Sequence, residues 1–327
     1  MPEHIQMATK MTGAPMRIKV PEWAALLIFL FAEMVFFAIK SPYFLSWANM
    51  VNVINALSIT GILAAGGTIL LIAGQFDLSV GSGMAFVALV FAMMDQTMGL
   101  IPAICIAVLV GAGIGAINGF LVTIVGVNAL ITTLGTLAIF RGLTLSLGGA
   151  SGLIINNFNW AISTPFLDIP MSALVFVVIA ALVGVLLART VFGRTIYAIG
   201  ANENAARLVG IRTKRTLFIS FIISGLCMAM TGLVSASQLG STSGTTGTGL
   251  ELAVITAVIL GGTPLKGGTG TMFGTVLGLL IVGVLNNGMT LLNINSTWQE
   301  VATGGLLILA VSFDQIRQRL ARSWLFK

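Results

Sequence analysis

The side chains that most often perform catalysis or bind metals are few in this sequence and far apart. Cys105 and Cys227 each stand alone inside an apolar run, and His4, the single histidine, lies near the N-terminus. A nucleophile with its base, or a set of metal ligands, requires several such groups that the fold can bring together. The sequence therefore predicts no catalytic site and no metal site, and it argues against an intramembrane enzyme.

Two carboxylates, Glu33 and Asp77, fall within or beside apolar segments. Ionisable residues at membrane depth are costly and often mark ion pathways. Two acids without an intramembrane histidine make a poor proton relay, so coupling to a driving ion is not favoured. Asp77 has a second interpretation, as an N-cap for the helix that follows it. A stand-alone secondary transporter or channel for small polar solutes stays open as an alternative.

The elements that must position these residues are membrane-spanning helices. Hydrophobic residues make up 57% of the 327 residues, charged residues make up 8%, and the mean hydropathy is +1.04. This composition lies far outside the range of soluble domains, and the length leaves room for about ten spans of roughly 20 residues each. We predict an all-α polytopic bundle with one transmembrane domain over residues 23–313, an N-terminal segment over 1–22 and a basic tail over 314–327.

Two stretches, 74–83 and 261–270, are too polar and too rich in glycine to form intact helices in lipid. Interrupted segments of this kind often mark the central site of a transporter. The apolar runs beside them, about Met84–Met94 and Glu251–Leu260, are short. We therefore predict two interrupted helices that are partly buried within the protein.

The basic residues are concentrated in three segments. Three precede the first span, six lie in a central polar segment at 189–215, and four follow the last span, which accounts for 13 of the 16 lysines and arginines. Basic residues accumulate on the cytoplasmic side of membrane proteins. Both termini and the central segment are therefore predicted to be cytoplasmic, and the net charge of +6 does not indicate nucleic-acid binding.

The central segment contains the pattern of a short helix. Asn202 suits the N-cap, Glu203 suits the first turn, and Gly210 suits the end. The residues that we assign to this predicted coupling helix are Asn202, Glu203, Asn204, Ala205, Ala206, Arg207 and Gly210. A short helix on the cytoplasmic face requires another protein to pack against it. The alternative is a solvated loop whose charges only set the membrane orientation.

Several motifs resemble one family in order along the chain. The spacing of Glu203, Ala205, Ala206 and Gly210 is similar to the Glu-Ala-Ala-x-x-x-Gly signature of permease subunits of bacterial ATP-binding-cassette (ABC) importers, although Asn204 departs from its commonest form. The segments Gly74–Ser82, Tyr197–Gly200, Leu260–Thr263 and Leu285–Gly288 resemble the ribose-type sugar permeases of that group. Together they cover essentially the whole chain.

The resemblance implies a multi-pass protein of the bacterial inner membrane that works with three kinds of partner. These are an ATP-binding subunit that uses ATP and Mg²⁺, a periplasmic or extracellular sugar-binding protein, and a second permease, either identical or a paralogue. No cofactor is expected on this chain. Which sugar is carried stays open, since many permeases of this type look alike and selectivity largely resides in the binding protein.

A pathway for a neutral, hydroxyl-rich solute requires uncharged hydrogen-bonding groups beside apolar or aromatic surface. Two phenylalanines, Phe76 and Phe158, are possible gates. Asparagine and threonine within spans also bond helices to each other, which is the alternative role for each candidate. The pathway candidates are Asn55, Phe76, Asp77, Asn118, Asn128, Thr132, Phe158, Asn286 and Asn287.

Overall fold

The computed structural model describes residues 22–149, 152–155, 158–164 and 168–325. The predicted N-terminal segment, 1–22, lies almost entirely outside this range. The first six helices are α1 (Glu22–Lys40), α2 (Trp47–Ile72), α3 (Val80–Met98), α4 (Leu100–Phe120), α5 (Ala129–Gly148) and α6 (Met171–Arg189). They are followed by α7 (Val191–Ala201), α8 (Glu203–Leu208), α9 (Thr213–Leu239), α10 (Leu250–Leu260), α11 (Met272–Leu291) and α12 (Ser296–Leu325).

The all-α polytopic bundle predicted from the sequence is confirmed. Within the described residues, eight helices are long and apolar enough to cross a membrane. The other two predicted crossings correspond to α10, which has 11 residues and is too short to cross alone, and to α12, which continues into the predicted basic tail. Both predicted interruptions are present, because α2 and α3 are separated at 73–79 and α10 and α11 at 261–271.

The prediction that the third apolar helix is short was wrong. We expected it to cover about Met84–Met94, but α3 runs from Val80 to Met98. Its first turn includes Gly81, Ser82 and Gly83, which favour helices weakly. All three are buried against neighbouring helices, and this packing outweighs their weak helix propensity.

Two long helices, α2 and α9, form the centre of the bundle. Helix α9 packs against α2, α3 and α4, while α2 also packs against α6, α10 and α11. Helices α1 and α12 lie at the periphery, against α11 and α10 respectively. A short antiparallel pair of strands, β1 (Leu153–Ile154) and β2 (Ser241–Thr242), joins the α5–α6 and α9–α10 connections.

Several buried hydroxyl groups in the bundle donate to carbonyl groups one turn earlier. Thr68 donates to the Ala64 carbonyl at 2.6 Å, and Thr231 donates to the Cys227 carbonyl at 2.8 Å. Thr68 also shares a hydrogen bond of 2.8 Å with Thr275, which links α2 to α11. Because lipid offers no partners, these internal bonds let polar side chains occupy membrane depth without penalty.

Glycines allow α4 and α9 to cross at close range. A Cβ at Gly111 would lie 2.6 Å from the Gly225 carbonyl oxygen of α9, whereas a Cβ at Gly113, on another face of α4, would meet nothing within 4 Å. Small residues at such crossings let backbones approach and gain van der Waals contact. The face of α4 that carries Gly111 is therefore fixed by packing, and the face that carries Gly113 is not.

We predict that Gly111→Ala destabilises the protein and that Gly113→Ala does not. Overpacking at the α4–α9 crossing should cost about 1–3 kcal/mol, whereas alanine at the open position improves helix propensity by roughly 0.5–1 kcal/mol. Thermal unfolding of the two purified variants in detergent measures the difference. Equal unfolding temperatures would contradict the packing that is described here.

Candidate functional site

The short helix α8 has the local structure that the sequence predicts. Asn202 is extended, and its side-chain oxygen accepts a hydrogen bond of 3.0 Å from the Ala205 amide, so it caps the helix. Glu203 lies in the first turn and pairs with Arg207 at 2.8 Å. Gly210 closes the segment with φ +86°. These residues therefore fold as a defined helix rather than as a plain solvated loop.

The outer surface of α8 carries apolar side chains that the sequence analysis did not single out. Leu208 is 88% exposed and Val209 is 77% exposed, while Ala206 is buried against the bundle. The segment is flanked by basic residues and lies outside the long apolar helices, so lipid is not an obvious partner for these two side chains. Leu208 ends α8 and Val209 follows it, and this position at the end of the capped helix is the signal that was available in the sequence.

Helix α7 leads into α8 and touches both interrupted segments. The Gly268 amide donates to the Ile72 carbonyl at 2.8 Å, so the end of α2 is hydrogen bonded to the α10–α11 connection. A Cβ on Gly200 of α7 would collide with the same Ile72 carbonyl. Tyr197 donates its hydroxyl to the Gly270 carbonyl at 2.8 Å. We call this meeting of α2, α7 and the α10–α11 connection the glycine junction.

The Tyr197 phenol is half-buried at the glycine junction. Burial raises the pKa of Tyr197 above its ordinary value near 10. The phenol therefore stays protonated at physiological pH and keeps its bond to the Gly270 carbonyl.

Asp77 and Asn118 are brought together, but in a closed part of the core. Asp77 accepts from the Ser79 amide at 3.0 Å, from the Ser79 hydroxyl at 2.6 Å and from the Ser224 hydroxyl at 3.1 Å. Asn118 donates to the Ser79 hydroxyl at 2.9 Å. Ser79, and not Asp77, occupies the N-cap position of α3. This network connects the α2–α3 break to α4 and α9.

A cleft of about 530 Å³ opens between α2, α10, α11 and α12. Its polar lining is mostly amides and threonines, and its apolar lining includes Val53, Leu57, Leu250 and Val282. We call it the amide cleft. Its hydrogen-bonding residues are Asn49, Asn52, Thr60, Asn286, Asn287, Thr290 and Gln299.

The amides of this cleft divide into two groups. Asn49 and Asn287 exchange two hydrogen bonds of 2.9 Å each, which join α2 to α11 and leave little capacity for a solute. The Asn286 side-chain oxygen is buried without a hydrogen-bond partner in the described residues. A buried acceptor without a partner is costly, and this sets Asn286 apart from the paired Asn49 and Asn287.

The remaining pathway candidates do not line the amide cleft. Asn55 faces the other side of α2, where it accepts from Ser172 at 2.7 Å and from Gln238 at 2.8 Å. Thr132 is buried within α5. Asn128 caps α5 by accepting from the Leu130 amide and lines a separate cavity of about 300 Å³ beside Glu203 and Lys214.

The two predicted aromatic gates pack into one hydrophobic cluster. Phe158 lies 4.5 Å from Phe91 and 6.1 Å from Trp160, measured between ring centroids, and Phe76 packs against the same cluster. Neither ring lines the amide cleft. Of the predicted pathway residues, Asn286 and Asn287 line the cleft, and their role in a pathway stays a prediction. The sequence alone could not separate cleft residues from core residues on the other helices.

Comparison with known proteins identifies the family of the chain. A family profile described as "Branched-chain amino acid transport system / permease component" matches residues 49–311. No solved structure matches the chain.

Three relatives are similar over most of their length. The D-allose transport system permease protein AlsC of Escherichia coli is 36% identical over 86% of this chain and 88% of its own. The ribose import permease protein RbsC of Bacillus subtilis is 38% identical over 88% and 90%, respectively. The L-arabinose transport system permease protein AraH of Escherichia coli is 38% identical over 88% of each chain.

The part of the chain that the family profile matches includes both interruptions, α8 and the amide cleft. The matches agree with the resemblance to ribose-type permease subunits of ABC importers that the motifs indicated, and that resemblance is confirmed. The chain therefore belongs to this family of transport-system permease components, and it is a membrane-spanning transport subunit rather than an enzyme.

Proposed function

We propose that this chain carries a monosaccharide, ribose or a related sugar, across the bacterial inner membrane as the permease of an ATP-driven importer. The observation that supports this most strongly is the amide cleft, because its neutral donors and acceptors beside apolar walls suit a neutral, hydroxyl-rich solute. Relatives named for allose, ribose and arabinose transport favour a sugar over other solutes.

The amide cleft is proposed as the place where the sugar pauses during transport. Asn52, Thr60 and Asn286 would bond to sugar hydroxyls, and Val53 and Leu57 would contact the apolar face of the ring. Asn49 and Asn287 would hold α2 and α11 together at one end of the cleft. No charged residue is among the described residues that line the cleft, so the sugar would be bound loosely enough to be released.

Helix α8 is proposed as the coupling helix for an ATP-binding subunit. With both termini and the segment 189–215 in the cytoplasm, exposed Leu208 and Val209 would be covered by that subunit. The subunit would use ATP and Mg²⁺, and this chain would bind neither. An external sugar-binding protein would deliver the solute, and a second permease, identical or paralogous, would complete the complex.

The glycine junction is proposed as the path by which movement of α8 reaches the helices around the cleft. Gly200, Ile72 and Gly268 are in direct backbone contact, so α7 cannot shift without moving the end of α2 or the α10–α11 connection. Both of these lead into helices that line the amide cleft. ATP binding to the cytoplasmic subunit and solute access to the cleft would be linked through this junction. The two events would favour different arrangements of its backbone.

Replacing Glu203 with arginine is expected to abolish uptake and association with the ATP-binding subunit. The variant replaces the Glu203–Arg207 pair with two like charges and places a cation at the helix N-terminus. Co-purification with the ATP-binding subunit and uptake of labelled sugar in cells measure the two effects, with Glu203→Gln as the milder control. Normal uptake by a fully inserted Glu203→Arg variant would refute the coupling role of α8.

Replacing Gly200 with alanine is expected to separate ATP hydrolysis from transport. The new Cβ would collide with the Ile72 carbonyl and displace α7 from α2, while the surface of α8 stays intact. The ATP-binding subunit should still co-purify, but uptake of labelled sugar per ATP hydrolysed in liposomes should fall at least tenfold. Gly113→Ala, at an open position, is the matched control, and equal coupling in both variants would count against the junction.

Replacing Asn286 with alanine is expected to weaken sugar transport without loss of assembly. One hydrogen bond to the solute contributes about 1 kcal/mol, so the ratio kcat/KM for uptake should fall about fivefold. Asn159→Ala, at an exposed amide outside the cleft, is the control. If both variants transport ribose, allose and arabinose as the parent does, the amide cleft is not on the pathway.

A further inference from the structure

Arg141, near the middle of α5, makes its strongest contacts with a loop. Its Nη1 atom donates to the Gly244 carbonyl at 2.6 Å and to the Thr246 carbonyl at 2.7 Å. Hydrogen bonds from a charged donor are short and strong, and a cation at membrane depth requires such partners. The half-buried guanidinium therefore holds the connection between α9 and α10 against α5.

The loop that Arg141 holds, residues 240–249, is wedged between α5 and α3. We call it the latch loop. A Cβ on Gly244 would collide with Leu145 of α5, and a Cβ on Gly81 of α3 would collide with the Gly247 carbonyl. Its backbone thus lies in contact with two of the long apolar helices.

The latch loop continues directly into α10. Side chains of the first turn of α10 contact two different parts of the protein. Glu251 lies close to Gly81, because a Cβ there would be 2.5 Å from the Glu251 Oε2 atom, and its charge attracts the Arg141 guanidinium. Leu250 and Ala253, on another face of the same turn, line the amide cleft. The restraint that fixes the latch loop therefore also fixes one wall of the cleft.

We propose that Arg141 is a positioning residue for the amide cleft, which holds the α10 wall in place through the latch loop. This role in solute access rests on the proposed function, in which the amide cleft receives the solute. Release of the two carbonyls from Arg141 frees the latch loop and the first turn of α10. The cleft then widens on the side of Leu250 and Ala253, so that Arg141 controls solute access without contacting the solute.

The reach of Arg141 explains why an arginine suits this position. A single nitrogen atom donates to two carbonyl groups two residues apart, so it fixes the direction of the loop as well as its distance from α5. Its opposing carboxylate, Glu251, is on the segment that must move. A neutral glutamine retains hydrogen-bonding capacity but has neither the reach nor the attraction to Glu251.

Thiol accessibility of two reporter positions tests the proposal in the full-length permease, reconstituted in liposomes. Ser243→Cys reports on the latch loop, and Ala253→Cys reports on the α10 wall. Both are made in a Cys105→Ser background, since Cys105 is exposed and Cys227 is buried. Each reporter is combined with Arg141→Gln, with Arg141→Lys, or with Lys40→Gln, which removes an exposed charge at the end of α1.

Arg141→Gln should raise the rate of labelling by a membrane-impermeant maleimide about tenfold at both reporters, and Lys40→Gln should leave it unchanged. Arg141→Lys, which keeps the charge on a different side chain, should give a rate between those of the parent and Arg141→Gln. Labelling of both reporters at the rate seen with Lys40→Gln overturns the proposal. A rise at Ser243→Cys alone overturns its link to the cleft.

If Arg141→Gln does not elute as a folded protein, the same labelling is measured with Arg141→Lys. A labelling rate in Arg141→Lys equal to that of the parent overturns the proposal. The assay requires neither ATP nor sugar. A rise in labelling in the Arg141 variants together with an absence of sugar uptake by the parent permease and its partner subunits would therefore reject the proposed function and leave the restraint by Arg141 in place.

Discussion

The contact on which the rest of the structure depends is a backbone contact at the end of α2. The Ile72 carbonyl accepts from the Gly268 amide, and Gly200 of α7 approaches the same carbonyl as closely as a residue without a side chain can. Helix α2 lies at the centre of the bundle and lines the amide cleft, while α7 carries α8. Ile72, Gly200 and Gly268 are far apart in the sequence, yet their backbone atoms are in direct contact with no side chain between them. Such a contact transmits displacement, because close-packed backbone cannot be compressed.

Two ionisable side chains inside the bundle, Asp77 and Arg141, are hydrogen bonded to backbone groups at breaks between helices. Asp77 is satisfied partly by the amide of Ser79, which is free because the chain leaves its helix between α2 and α3. Arg141 is satisfied by the carbonyls of the latch loop, which are free for the same reason. An intact helix uses its own backbone groups and has none to offer. The breaks therefore provide the hydrogen-bonding groups that let two ionisable side chains lie within the bundle.

Much of the fold was predictable because membrane helices follow simple rules. Apolar length gave the spans, and glycine with polar residues at 74–83 and 261–270 gave both interruptions. The cap by Asn202 and the end at Gly210 followed from local backbone chemistry, which depends on few neighbours. Asn286 and Asn287 were found because amides within an apolar run are conspicuous. The limit of α3 was missed, since tertiary packing at Gly81–Gly83 outweighs local propensity.

Which polar residues face the cleft was not predictable. Asn55 and Asn52 are three residues apart on α2, yet one bonds to Ser172 and the other lines the amide cleft. The helical period alone places them near each other, and only the positions of α6 and α11 decide their surroundings. The contacts of Phe76 and Phe158 likewise depend on how the helices pack. The sequence identifies such residues as candidates, and the packing of the helices decides their partners.

The exposed side chains of Leu208 and Val209 at the end of α8 affect the fate of the chain when it is made in excess. Leu208 and Val209 place two bulky apolar side chains where the described residues of the chain leave them exposed. A copy of this subunit made in excess would present a small adhesive surface to chaperones and membrane proteases. If an ATP-binding subunit covers α8, as proposed, balanced production of the two subunits would keep such copies few.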